Sequence, residues 1–89
     1  MSTYIVSFEI NDVTIRTTFE EKLKSYGVYC PINKYCWAIV TSKKATEIRD
    51  FLKPYLGLTD RLIVVRSGTE SAWLNTYGEA NNDWLKKHL

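Results

Sequence analysis

Histidine is almost missing from this chain. One imidazole, His88, sits at the far end of 89 residues that hold two cysteines, two prolines and four glycines. A lone histidine far from Cys30 and Cys36 leaves no four-ligand zinc set and no histidine-centred nucleophile arrangement. The scattered glycines supply no phosphate-cradling loop, and Ser67-Gly68-Thr69 reads as a turn. No apolar run approaches the roughly 18 residues of a membrane span, and the N-terminus lacks the charged-then-apolar pattern of a secretory signal. The expectation is a cytoplasmic protein with no membrane partner. Charge of one sign is scarce too: twelve Lys and Arg against ten Asp and Glu give +2. That balance excludes a uniformly basic nucleic-acid binder and leaves local clustering of cations as the only route to phosphate.

Hydrophobic residues make up 45% and charged residues 25%, an ordinary globular composition. The length fits one domain, 1–89, whose small core gains from self-association, because a second copy removes more apolar surface from water. Cys30 and Cys36 flank a short turn and read as reduced thiols in a reducing compartment. A three-residue loop would place them opposite each other across a hairpin; a two-residue loop would not.

The stretch Tyr4–Ile10 organises the rest. As a central strand it sends Tyr4, Val6, Phe8 and Ile10 to one face and Ile5, Ser7 and Glu9 to the other, so both faces need cover. Glu9 then lies where the strand leaves the sheet, either as a functional acid or as a solvated one.

Asn11 and Asp12 form a turn and a helix N-cap; Ile15, Phe19, Leu23 and Tyr26 recur along one helical face, and Gly27 stops the helix. Val28–Ile32 and Tyr35–Thr41 read as a hairpin, with Pro31 pushing the first run to the sheet edge and the second in the interior. Ser42 is the expected N-cap of a second helix buried through Ala45, Ile48, Leu52 and Tyr55 and ended by Pro54 near Lys53. Leu62–Val65 is apolar throughout, which predicts a strand buried on both sides.

This order predicts an α+β, ferredoxin-like βαββαβ fold with an antiparallel-type sheet and two helices on one face. Its core spans 3–66 and an extension spans 67–89. Ala72-Trp73-Leu74 is expected as a short fifth strand, and Ala80–Leu89 as a terminal helix with Trp84 and Leu85 inward. Two helices cover only one face, so a second subunit or the tail must cover Ile63 and Val65, or Leu62 and Val64. Trp73, Tyr77 and Trp84 are the expected anchors of that interface.

The opening strand, with its aromatic-then-acid ending Phe8-Glu9, resembles that of the CRISPR-associated Cas2-like proteins. The blocks Trp37-Ala38-Ile39-Val40-Thr41, Glu47-Ile48-Arg49-Asp50-Phe51-Leu52, Arg61-Leu62-Ile63-Val64-Val65-Arg66, Glu70-Ser71-Ala72-Trp73 and Asp83-Trp84-Leu85-Lys86 are similar to a related SinR-like group. The resemblance implies a homodimer in which open sheet faces meet and the segment after the last core strand pairs with the partner. It also implies a metal-dependent nuclease in which one acid per subunit, here Glu9, meets its twin and holds Mg²⁺. The family usually carries Asp at that place. The extra methylene of Glu moves the carboxylate by about a bond length in a site that needs octahedral geometry. Arg16 follows the acid where the family has a basic residue, and with Lys43, Lys44 and Arg66 it would neutralise phosphates of DNA or RNA.

Three functions compete on these residues. The first is a homodimer that binds nucleic acid or scaffolds a nucleoprotein complex, with or without hydrolysis. The second is a non-enzymatic protein-interaction module, such as a phage, mobile-element or toxin-antitoxin factor, acting through its aromatic surface. The third is a single-stranded RNA reader that stacks bases on the Tyr35–Val40 strand of an open sheet.

Overall fold

Asp12 shows how directly local chemistry sets the elements: its Oδ1 accepts the Ile15 amide at 2.9 Å and starts the first helix where the cap was expected. The structure, a computed structural model, describes residues 1–89. Its elements are β1 (Ser2–Glu9), α1 (Val13–Lys24), β2 (Tyr29–Asn33), β3 (Cys36–Thr41), α2 (Ala45–Leu52), a 3₁₀ turn (Lys53–Tyr55), β4 (Arg61–Arg66) and α3 (Glu79–His88).

Gly27 follows α1 at φ +87, a left-handed conformation that side chains disfavour, and turns the chain into β2. The hairpin closes through Lys34 and Tyr35, with Asn33 Oδ1 accepting the Tyr35 amide at 2.8 Å. Asn33 pairs with Cys36 and Cys30 with Ala38, so the two-residue turn keeps the thiols from facing each other, and both are free. α2 begins after Lys44 rather than Ser42, because the Glu47 carboxylate reaches back to the Lys44 amide at 3.0 Å and fixes the first turn there. The helix gives way at Lys53, one residue before Pro54.

The four strands form one antiparallel sheet in the order β2-β3-β1-β4. Since β1 is antiparallel to both β3 and β4, and β2 to β3, α1 joins two like-directed strands that have β3 between them. α2 does the same around β1. Pro31 lies on the edge strand β2, as its missing donor requires.

Register assigns the faces. Val6 pairs with Trp37 and with Val64, and Tyr4 pairs with Ile39, so Tyr4, Val6, Phe8, Trp37 and Ile39 share the side covered by α1 and α2. Phe19 and Leu23 of α1 and Ile48 and Leu52 of α2 complete this core, with the Phe8 and Phe19 rings 4.8 Å apart. Each such side chain contributes about 1.5–3 kcal/mol by leaving water. Trp37 is therefore inside, stacked on Tyr29, and offers no open platform to a base.

The opposite face is half covered, and its cover is the tail. Leu85 of α3 is 1% exposed and lines, with Ile5, Ile32 and Val65, a cavity on this face. Asn81 Nδ2 donates to the Pro31 carbonyl at 3.0 Å and to Cys30 Sγ at 3.3 Å, and Thr3 Oγ1 donates to the His88 carbonyl at 2.8 Å. Cys30 and Ala38 are buried beneath this helix.

Two expectations are corrected here. Ala72-Trp73-Leu74 is not a strand: Asn75 adopts φ 59, which ends any extended run, and Trp73 Nε1 donates to Asn82 Oδ1 at 2.8 Å, turning the segment onto α3. β4 is not buried on both sides. It is the outermost strand, Leu62 and Val64 are half-buried against the helix layer, and Ile63 and Val65 are 58% and 48% exposed. An unbroken apolar run signals burial on both faces only when something covers both, and α3 stops short of β4.

Candidate functional site

Glu9 ends β1 on the half-covered face, and the β1–β4 register brings Arg61 directly opposite it. Arg61 Nη1 donates to Glu9 Oε1 at 2.5 Å, with the Arg61 side chain mostly and the Glu9 side chain half in solvent. Beside them Ser7, Tyr35 and Ile63 line a groove of about 370 Å³, and the Phe8 amide donates to the Tyr35 carbonyl at 2.8 Å, fixing the hairpin tip against it. Cys36, half-buried, pairs with Ser7 across the β1–β3 ladder on the same face.

This geometry does not fit the Mg²⁺ that the family resemblance implies. Magnesium asks for octahedral oxygen donors, and the groove offers one carboxylate already held by a guanidinium. No group of three or more His, Cys, Asp and Glu lies close enough to share an ion. A second copy would bring Arg61 with each Glu9, so the paired acids would arrive neutralised. Arg61 is the residue that sequence reasoning missed; it is 52 positions from Glu9, and only the register of two strands brings them together.

The expected phosphate-binding residues do not form one site. Arg16 lies on α1 just after the Glu9 end of β1. Arg66 pairs with Tyr4 near the start of β1, and Lys43 and Lys44 follow β3, whose Thr41 pairs with Ser2. Thr3 and Glu9 are six positions apart on an extended strand, so the two groups are separated by about 20 Å. At the strand-start end the structure adds two lysines that the sequence did not single out, Lys86 and Lys87, carried there by the Thr3–His88 hydrogen bond.

The aromatic tail residues have different fates. The Trp84 and His88 rings lie 4.3 Å apart, tilted at 43°, with Trp84 half-buried, Trp73 is half-buried and bonded to Asn82, and Tyr77 is 65% exposed. Burial pushes both thiols above their usual pKa, the Asn81 hydrogen bond partly opposing this at Cys30. Neither cysteine is an activated nucleophile. No helix is long and apolar enough to cross a membrane.

No family model matches the chain, and no curated protein matches it. Among solved structures it is similar to the crystal structure of a hypothetical protein, TT1823, from Thermus thermophilus. The two superpose with a TM-score of 0.68 at 20% identity over 84% of this chain and 92% of that one. At that identity the likeness concerns the fold.

Proposed function

We propose that this chain is a ferredoxin-like, Cas2-like subunit that works as a homodimer and binds nucleic acid without cutting it. The strand order, with each helix bridging two like-directed strands around a third, supports the ferredoxin-like reading. One observation carries the dimer: Ile63 and Val65 stand 58% and 48% exposed on an outermost strand whose edge has no partner. Edge strands left open are normally blunted with charge, proline or a covering element, and the middle of β4 has none of these. A second copy seated on that strip and on the neighbouring groove removes it from water. The pairing of Glu9 with Arg61 supports binding rather than hydrolysis.

Sedimentation equilibrium tests the dimer. Wild type sediments as a dimer at micromolar concentration, and the doubly substituted Ile63→Asp, Val65→Asp chain as a folded monomer. A wild-type monomer across that range overturns the reading.

The free edge of β4 also supports the second reading, a protein-interaction module that takes an extended peptide as an added strand. The same centrifuge run separates the two, since an edge kept for a foreign peptide leaves the pure protein monomeric.

A further inference from the structure

A net charge of +2 conceals a lopsided distribution. Three separate segments meet at the first residues of β1: Ser2 pairs with Thr41 at the end of β3, Tyr4 pairs with Arg66 at the end of β4 and the next residue's amide, Ser67, donates to the Thr3 carbonyl at 2.8 Å, and Thr3 Oγ1 donates to the His88 carbonyl. These ties gather Lys43, Lys44, Arg66, Lys86 and Lys87, five of the twelve Lys and Arg, at one end of the sheet. All five are exposed, and none takes part in the three ion pairs, which engage Lys24, Arg49 and Arg61 instead. The acids nearby are Glu47, which holds the Lys44 amide, and Glu70 in the segment after β4. Glu79 lies at the other end of α3, which docks at Pro31 through Asn81, and Asp83, one turn before Lys86 and Lys87 on the same helix, takes part in no ion pair.

We infer that this strand-start end, built from Lys43, Lys44, Arg66, Lys86 and Lys87, is the surface that contacts the phosphate backbone of a nucleic-acid duplex. The inference rests on the nucleic-acid reading above and names its contact surface. Phosphate contacts need cations that are free and exposed, and sequence readout is not required for them. The arrangement suits a duplex better than a lipid surface. An interfacial helix turns its apolar face outward, whereas α3 turns Leu85 inward and leaves Glu79, Ala80, Asp83, Lys86 and Lys87 on the outside, with no large apolar side chain among them. Arg16 and the Glu9–Arg61 pair, at the far end of β1, take no part.

The test is fluorescence anisotropy with a labelled DNA duplex and a labelled RNA duplex of mixed sequence, read across a salt series. Wild type binds with a clear negative slope of log affinity against log salt. Lys43→Gln with Lys44→Gln, and separately Lys86→Gln with Lys87→Gln, weakens binding about tenfold and makes the slope shallower by roughly two. Lys34→Gln with Lys53→Gln removes the same charge at the opposite end and leaves both unchanged. Circular dichroism and sedimentation confirm that each variant keeps its fold and oligomeric state. If wild type binds duplex and the control pair weakens it as much as the strand-start pairs, the surface is wrong while the nucleic-acid reading stands. If wild type binds neither duplex, both fail. Binding to vesicles of anionic phospholipid without duplex binding assigns the same cations to a membrane and overturns the inference.

Discussion

Glu9 and Arg61 face each other across the β1–β4 ladder, with Oε1 2.5 Å from Nη1, the Arg61 side chain mostly and the Glu9 side chain half in water. An exposed pair of this kind is worth about 0–1 kcal/mol, and its consequence is chemical rather than energetic: the acid's charge is already answered. Glu9→Gln is expected to cost less than about 1 kcal/mol in urea unfolding. Incubation of labelled RNA and DNA with Mg²⁺ should give identical products with wild type and variant. Cleavage by wild type that vanishes in Glu9→Gln would show that Arg61 yields the carboxylate to a metal.

Leu85 is the side chain through which the tail covers the second face. Its replacement by Ala removes a fully buried apolar group, at an expected cost of about 2–5 kcal/mol. Because α3 docks on β2, away from α1, hydrogen exchange should rise first in α3 and little in α1. Uniform loss of protection throughout the chain would show that tail and sheet unfold as one unit.

The period-two pattern of Tyr4, Val6, Phe8 and Ile10 was enough to assign the buried face of β1, and Asp12, Gly27, Pro31 and Pro54 marked boundaries through steric or hydrogen-bonding rules that act within a few residues. Those features are local, so the sequence carries them openly. Ile63 and Val65 misled because composition records how apolar a strand is and not what lies over it. The fifth strand failed for a related reason: Ala72-Trp73-Leu74 has strand-like residues, but Asn82, nine positions from Trp73, decides its path. At the candidate site Glu9 was legible as an acid at a strand end. Its engagement by Arg61 and the company of Lys86 and Lys87 with Arg66 depend on register and on a tail contact spanning 85 positions.

Trp73 and Asn82 form the single side-chain bond that pins the segment between β4 and α3 to the helix, at 2.8 Å. Asn82→Ala leaves the half-buried indole donor without its acceptor, at a cost of about 1–3 kcal/mol. Tryptophan fluorescence should shift to the red as Trp73 loosens, while the core, remote from it, keeps its far-ultraviolet dichroism. An unchanged emission maximum would mean that packing, not the hydrogen bond, holds the indole.

Alkaline pH should weaken the fold through three groups that it keeps protonated. Burial raises the pKa of Cys30 and Cys36 above 9.0 and that of Tyr26 above 10.0, with the Glu47 charge adding to the effect at Tyr26. In each case the folded state holds the proton more tightly than the unfolded chain does. The stabilisation is therefore complete below the unfolded pKa, and it is lost as pH rises past 9.0 and on through the raised folded values, since the unfolded chain ionises first and is favoured. Thermal unfolding followed from pH 7 to pH 11 should show a melting temperature that is level at first and then falls above about pH 9. The doubly substituted Cys30→Ala, Cys36→Ala chain should begin its fall later, near the range set by Tyr26. Alkylation by iodoacetamide offers an independent reading, since thiols held protonated react more slowly at pH 8 than the same thiols in urea. Equal rates in the two conditions, or a melting temperature that drops identically in the double variant, would place the alkaline sensitivity elsewhere in the chain.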